Sequence, residues 1–118
     1  MQSSHHETDH EIGLMLIPMT SLAHAEKVLN EHDALILYFT APGCNVCQAV
    51  KPRIIELAEK YRVPVLLSSI DEHVEFSAQR LVFTIPTVLI MYQGREIGRE
   101  SRFIDFDQLE RTISLMTD

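Results

Sequence analysis

The stretch that decides the fold is ALILYFTAPGCNVC, residues 34–47. Its first half, residues 34–40, is nearly all apolar, as in a strand that is covered on both faces of a sheet. Residues 41–43, Ala-Pro-Gly, then interrupt the strand. Apolar side chains recur at helical spacing from there to Tyr61, so a helix is predicted to begin at about Cys44. The segment therefore indicates a buried strand that leads through a short break into a cysteine-bearing helix.

Strands and helices alternate through the rest of the chain. Apolar runs predict strands at residues 14–17, 34–40, 63–70, 87–92 and 96–100. Helices are expected to begin near Thr20 or Ser21, Cys44, Asp71 and Asp105. The inner face of the third helix is expected to comprise Val74, Ala78 and Leu81. The order βαβαβα followed by ββα predicts right-handed crossovers and a largely parallel sheet, with antiparallel pairing at the final hairpin.

Length and charge limit the possible functions. The 118 residues fit one domain, and the formal net charge is −7. Basic residues form no stripe, so neither nucleic acid nor an anionic membrane is an expected partner. No apolar run reaches the roughly 18 residues that a membrane-spanning helix needs.

The first residues differ in composition from the rest. Residues 1–12 are polar and rich in histidine and acid, so we expect a disordered arm followed by one domain at residues 13–118. His5, His6 and His10 could bind a metal weakly, although a solvated tail is the simpler interpretation. A secretory signal is not apparent, and a cytoplasmic location is expected.

Cys44 and Cys47 are the only cysteines of the chain. A disulfide between them would close a very small loop and would stabilise the fold little, so the pair is interpreted as redox-active or metal-binding. Zinc requires four ligands, and neither a second C-x-x-C nor a spaced histidine pair supplies the others. We therefore expect no metal and no other cofactor. A metal or iron–sulfur site shared between two chains stays a minor alternative.

The position of the pair assigns different roles to the two cysteines. Cys44 meets the unpaired N–H groups and the positive dipole end of the predicted helix, and both favour its thiolate. Cys47 lies one turn further along, on the same face and more buried. Cys44 is therefore expected to attack a partner's disulfide, and Cys47 to resolve the mixed disulfide that results.

With these landmarks in place the chain resembles the thioredoxin family over residues 14–118. The resemblance is carried by Phe39, Ala41, the Cys44/Cys47 pair, Pro52, Ile85-Pro86-Thr87 and Gly94. It implies the α/β thioredoxin fold, a central mixed sheet of four to five strands flanked by about four helices. It also implies a cis bond between Ile85 and Pro86, which places the Ile85 backbone beside the sulfurs to pair with an extended substrate. Gly43, Asn45 and Val46 complete the expected substrate contacts.

Several positions depart from the family pattern. The motif is Cys-Asn-Val-Cys rather than Cys-Gly-Pro-Cys, Thr40 replaces a usual tryptophan, and Gly43 replaces an aromatic residue. Tyr38 stands where the family has a buried carboxylate, and Leu67 where it has the lysine partner of that carboxylate. Because a phenol titrates near pH ~10, Tyr38 cannot deprotonate the resolving thiol near neutral pH. Dithiol chemistry is still expected, but the general activity of thioredoxins is not inferred for this chain.

Arg102 aligns with a glycine of the family, in the loop beside the active site. We expect it to face the substrate groove, where a cation could stabilise the Cys44 thiolate or select acidic partners. The alternative is a solvated arginine near the end of a hairpin.

The leading hypothesis is a cytoplasmic thiol–disulfide oxidoreductase that reduces protein disulfides through Cys44 and Cys47. Its expected partners are protein disulfide substrates and a redox partner, either a reductase or a low-molecular-weight thiol. The alternatives are an oxidant or isomerase of the same fold, and a non-catalytic thioredoxin-fold binding module.

Overall fold

A computed structural model describes residues 15–117. Within them lie five strands and four helices: β1 Leu16–Pro18, α1 Leu22–Glu31, β2 Ala34–Thr40, α2 Asn45–Tyr61, β3 Val65–Ser69, α3 Val74–Gln79, β4 Thr87–Tyr92, β5 Arg95–Ser101 and α4 Phe106–Met116. None of these helices is long and apolar enough to cross a membrane. The order of elements is the predicted one. The expected arm at residues 1–12 and the first residue of the first predicted strand, Leu14, lie outside the described residues.

The five strands form one mixed sheet in the order β1-β3-β2-β4-β5. β3 pairs in parallel with both β1 and β2. β4 pairs antiparallel with β2 and with β5. This sheet, with its four flanking helices, confirms the predicted fold class.

Helices cover both faces of β2, which explains why this strand is apolar at every inner position. Leu35, Leu37 and Phe39 pack in one cluster with residues of α1 and α3. Ile36 and Tyr38 point to the other face, where they pack in a second cluster with residues of α2 and α4. Since neighbouring side chains of a strand alternate between faces, a strand buried on both sides leaves no position for solvent-exposed polar residues.

Three chain segments meet at one end of the sheet. Phe39, near the carboxyl end of β2, pairs with Thr87 at the start of β4. Thr87 in turn pairs with Ser101 at the end of β5. The residues that precede Thr87, those that follow Ser101 and those that follow β2 therefore share this end, which places Cys44, Pro86 and Arg102 in one region.

The predicted inner face of α3 is wrong. Val74 and Leu81 are 64% and 66% exposed, and Ala78 is exposed as well. Phe76 and Ser77 are the buried residues of this helix, and the Phe76 ring stacks on Phe39 with centroids 5.8 Å apart. Because α3 has only six residues, a single large side chain anchors it, and a periodic stripe over three turns does not exist.

A candidate dithiol site at the start of the second helix

Cys44 and Cys47 form a disulfide, with their Cα atoms 5.2 Å apart. Cys44 is the N-cap of α2, and its sulfur accepts a hydrogen bond from the backbone N–H of Cys47 at 3.1 Å. Cys47 is only 2% exposed, whereas Cys44 is half-buried. One sulfur can therefore be reached by a partner, and the other is covered by the protein.

The start of α2 favours negative charge on the Cys44 sulfur. The Cys47 N–H already points at this sulfur, and a thiolate would make the same hydrogen bond stronger. The first turn of α2 carries no acidic residue that would oppose the charge. Asn45, Val46 and Gln48 are uncharged as well, so within this turn the stabilisation comes from backbone groups.

The short break before Cys44 is a turn that places the sulfur at the surface. Gly43 has φ +79°, a conformation that L side chains rarely adopt, and the Cys44 N–H donates to the Ala41 carbonyl at 3.3 Å. Gly43, Asn45 and Val46 are exposed, with Val46 at 55%. These three predicted substrate contacts are thus accessible beside Cys44.

Tyr38 lies beneath the cysteines, fully buried in the cluster that α2 covers. Its hydroxyl donates a hydrogen bond to the Cys47 carbonyl at 2.7 Å. Burial raises the pKa of Tyr38 to about 12. Leu67 is its cross-strand neighbour on β3. The predicted loss of a carboxylate and lysine pair at these positions therefore leaves a neutral hydroxyl in an apolar environment.

The hydrogen-bond partner of the Tyr38 hydroxyl was not predicted from the sequence. A usable signal was present, because a tyrosine in an otherwise apolar buried strand needs a hydrogen-bond partner for its hydroxyl. The helix that follows the strand supplies that partner through its first turn.

The peptide bond between Ile85 and Pro86 is cis. Pro86 is buried, and its carbonyl accepts the Arg102 N–H at 2.7 Å. The Thr87 hydroxyl donates to the Thr84 carbonyl at 2.8 Å and lies 3.0 Å from the Ser101 hydroxyl. These bonds fix the segment before β4 to the end of β5, while Ile85 stays partly exposed.

Arg102 occupies its aligned place with a backbone φ of +65°, in the region that favours glycine. Its side chain is exposed, and the guanidinium carbon lies 5.7 Å from the centroid of the Phe103 ring. The structure thus places Arg102 beside Pro86 through its backbone, with its charge directed at an aromatic neighbour.

Two exposed phenylalanines belong to this end of the sheet and were not predicted. Phe103 follows Arg102 and is 85% exposed, and Phe83 lies three residues before Pro86 and is 73% exposed. Large exposed apolar side chains near a reactive group are typical of a contact surface for another protein. The sequence signal was two phenylalanines in short segments between predicted elements.

The two sulfurs of this arrangement can carry out dithiol chemistry. Among residues 15–117, no group of three or more histidines, cysteines, aspartates and glutamates could hold a metal ion. The reachable Cys44 sulfur can exchange with an external disulfide, and the covered Cys47 sulfur is placed to close the internal bond.

Comparison with known proteins identifies the same family over almost the whole described chain. The thioredoxin family model matches residues 15–114. Thioredoxin-like protein YdfQ of Bacillus subtilis (strain 168) is 32% identical over 94 residues, which cover 79% of this chain and 84% of that relative. Thioredoxin 1 of Thermosipho africanus TCF52B is 33% identical, with a TM-score of 0.65 over 69% of this chain and 91% of that one.

A mutant thioredoxin from Halobacterium salinarum NRC-1 has the same fold. Its TM-score is 0.80 at 22% identity, and the superposition covers 87% of this chain and 91% of that chain.

Proposed function

The chain belongs to the thioredoxin family and is a thiol–disulfide oxidoreductase, and we propose that it works as a reductase of protein disulfides. The observation that carries the proposal is the Cys44–Cys47 pair itself, with one reachable sulfur at a helix N-terminus and one covered sulfur. Strong stabilisation of a thiolate turns such a pair into an oxidant. Here the stabilisation comes from backbone groups, and the residues between the cysteines are uncharged. This favours the reducing direction.

In the proposed reaction Cys44 is the nucleophile. Its thiolate attacks one sulfur of a substrate disulfide, a mixed disulfide forms, and the other substrate sulfur leaves as a thiolate. The Cys47 thiol then loses its proton to solvent and attacks the Cys44 sulfur, which releases the second substrate sulfur as a thiolate. The substrate gains two electrons, and the chain ends with the Cys44–Cys47 disulfide.

The surface around Cys44 suits an extended peptide segment. Ile85 offers its backbone next to the cis bond, and an extended segment can add to it as a short strand. Val46, Phe83 and Phe103 offer exposed apolar side chains on the same end of the sheet. Gly43, Asn45 and Arg102, all exposed, complete the proposed contact surface.

The proposal includes the surroundings in which the reaction runs. We place the protein in the cytoplasm, where a reductase or a low-molecular-weight thiol would return electrons to the Cys44–Cys47 disulfide. We also propose that residues 13–118 form the single folded domain and that residues 1–12 are an arm outside it. Limited proteolysis tests this division, because cleavage confined to the arm would leave exchange activity unchanged.

The reduction potential of the pair tests the direction of the reaction. The protein is equilibrated in glutathione buffers of graded ratio, and the reduced fraction is measured by alkylation and mass spectrometry. A reductase gives a potential below about −220 mV, the upper end of the cytosolic glutathione poise. A value near about −120 mV would make the protein an oxidant and would overturn the proposed direction.

Substrate turnover supplies the second half of this test. Reduced protein, with dithiothreitol as the electron source, should accelerate the reduction of insulin, followed as turbidity. The matched control is the double variant Cys44→Ser/Cys47→Ser, which keeps the fold and lacks the thiols. Equal rates for the wild type and this control would point to a binding module instead.

A further inference from the structure

The Tyr38 hydroxyl makes the closest side-chain contact to the backbone of Cys47 that the structure describes. Tyr38 is 0% exposed, and its hydroxyl donates to the Cys47 carbonyl at 2.7 Å. The ring lies in the apolar cluster that also contains Ile54, Leu57 and Val88. Since this packing fixes the ring, the hydroxyl is held at one position under the first turn of α2.

The helix lacks one backbone hydrogen bond close to that first turn. Pro52 lies inside α2 and has no N–H. The carbonyl of Gln48, four residues earlier, therefore lacks the hydrogen bond that a regular helix would provide. Cys47 stands directly before this gap, so the bond from Tyr38 to the Cys47 carbonyl ties the helix to β2 next to the missing bond.

The described part of the chain offers Cys47 no buried base. Among the described residues no aspartate, glutamate, histidine, lysine or arginine side chain is buried. The cross-strand row of Tyr38 consists of Pro18 on β1, Leu67 on β3, Val88 on β4 and Glu100 on β5. Glu100 is the titratable group in this row, and its Oε1 accepts the N–H of Asp105. Burial raises the pKa of Tyr38 to about 12, which keeps its hydroxyl a neutral donor near neutral pH.

We propose that Tyr38 is a positioning residue for the resolving step: its hydroxyl holds the Cys47 carbonyl so that the Cys47 thiol stays opposite Cys44, and it takes no part in proton transfer. This inference rests on the proposed function, because it concerns the second of the two exchange steps. In that step the Cys47–Cys44 bond forms, the bond between Cys44 and the substrate sulfur breaks, and the electron pair leaves with the substrate sulfur. The proton of Cys47 goes to solvent water or buffer.

The two steps can be separated with dithiobis(nitrobenzoate) as the probe. Reduced protein is mixed with one equivalent, and each step releases one coloured thiolate. The first release reports the attack of Cys44, and the second reports the attack of Cys47. Absence of a fast first release would overturn the proposed function, whereas the present inference concerns only the second release.

Tyr38→Phe removes the hydroxyl and keeps the ring. We expect an unchanged first phase and a second phase slowed roughly two- to tenfold, the range that one hydrogen bond supplies. The pH midpoint of the second phase should stay where it is in the wild type. Glu100→Gln, which keeps an acceptor for Asp105, should leave both phases unchanged.

Tyr61→Phe is the matched control. Tyr61 is the last residue of α2, and its hydroxyl bonds to Glu110 at 2.6 Å, at the opposite end of the helix from the cysteines. This variant should leave both phases unchanged. An unchanged second phase in Tyr38→Phe, or an equal slowing of both phases, would overturn the inference. A shifted pH midpoint would also overturn it, since the hydroxyl would then take part in proton transfer.

Discussion

The two ends of α2 carry the same kind of hydrogen bond in very different surroundings. At the N-terminal end the Tyr38 hydroxyl donates to the Cys47 carbonyl at 2.7 Å, with donor and acceptor buried. At the C-terminal end the Tyr61 hydroxyl donates to the Glu110 carboxylate at 2.6 Å, beside the ammonium group of Lys60. The first bond lies under the cysteine sulfurs, and the second joins partly buried side chains of α2 and α4.

This difference separates a functional contact from a structural one. A buried hydrogen bond fixes a position because water cannot replace it, whereas water and salt compete with an exposed charged contact. The first turn of α2 must therefore be held in one position, since Cys47 must stay opposite Cys44 in each cycle. The C-terminal end needs only to keep two helices together.

The largest expected difference between the two ends concerns exchange itself. Cys44→Ser should abolish exchange, because a hydroxyl does not form the required anion near neutral pH. Cys47→Ser should keep the attack and lose the release, so mixed disulfides with substrate accumulate. Glu110→Gln at the other end should change the exchange rate by less than about twofold, as expected for an exposed contact. Mass spectrometry of protein incubated with an oxidised substrate measures all three.

Trapped adducts in Cys44→Ser, or a slow reaction in Glu110→Gln, would break this contrast. The first result would mean that Cys44 is not the nucleophile. The second would mean that the contact at the C-terminal end of α2 also affects exchange.

The next effect in size concerns stability. Tyr38→Phe should lower the free energy of unfolding by about 0.5–1.5 kcal/mol, the net value of one intramolecular hydrogen bond. Tyr61→Phe should lower it by less, since its hydroxyl contact is only partly buried and the neighbouring contact between Lys60 and Glu110 is exposed. Urea unfolding of the oxidised proteins measures both. A larger loss in Tyr61→Phe would show that the C-terminal contact is the stronger of the two.

A smaller effect depends on pH at the C-terminal end. Hydrogen bonds from Lys60 and then Tyr61 lower the pKa of Glu110. A group whose pKa is lower in the folded state than in the unfolded state contributes stability above the unfolded pKa, and this contribution disappears as the pH falls through the folded pKa. The free energy of unfolding of the wild type should therefore decrease as the pH falls below about 4.3, the usual pKa of a glutamate.

Glu110→Gln should make the free energy of unfolding depend less on pH in this range. Glu59→Gln on α2 should leave the pH dependence unchanged. Urea unfolding across that pH range provides the measurement. An unchanged profile in Glu110→Gln would mean that other carboxylates cause the loss of stability at low pH.

The smallest expected effect compares two arginines with left-handed backbones. Arg102 has φ +65° near the cysteines, and Arg62 has φ +57° at the C-cap of α2. Replacement by glycine relieves similar backbone strain at both positions and removes one positive charge. Only Arg102→Gly should raise the pH at which the Cys44 thiolate appears, and only at low salt, because exposed charges are screened over about 8 Å at physiological ionic strength.

Thiolate absorbance against pH, in a Cys47→Ser background, measures this effect for both variants. If Arg102→Gly and Arg62→Gly titrate alike, Arg102 is an ordinary solvated residue, and the N-terminus of α2 alone stabilises the thiolate.

The sequence predicted the features that depend on local pattern. The unbroken apolar run at residues 34–40 indicated a strand buried on both faces, and Cys44 after a turn glycine indicated a helix that starts at a thiol. Both predictions depend on neighbours along the chain, which periodicity and turn residues report directly.

The missed features depend on contacts between side chains of one element and groups of another. The bond from Tyr38 to Cys47 joins a strand to the helix that follows it, and nothing in either segment alone specifies that partner. The predicted burial of Val74 and Leu81 failed because α3 is anchored by the contact of Phe76 with Phe39 on another element. Periodicity identifies the buried face of a long helix better than that of a helix with six residues.

The most direct test of the account is a competition between the two thiols. Reduced protein is treated with less than one equivalent of iodoacetamide near neutral pH, and the labelled cysteine is located by mass spectrometry. Cys44, half-buried at the helix N-terminus, should carry almost all of the label, because Cys47 is covered. Labelling of Cys47 first, or of both cysteines equally, would contradict the assignment of nucleophile and resolving thiol.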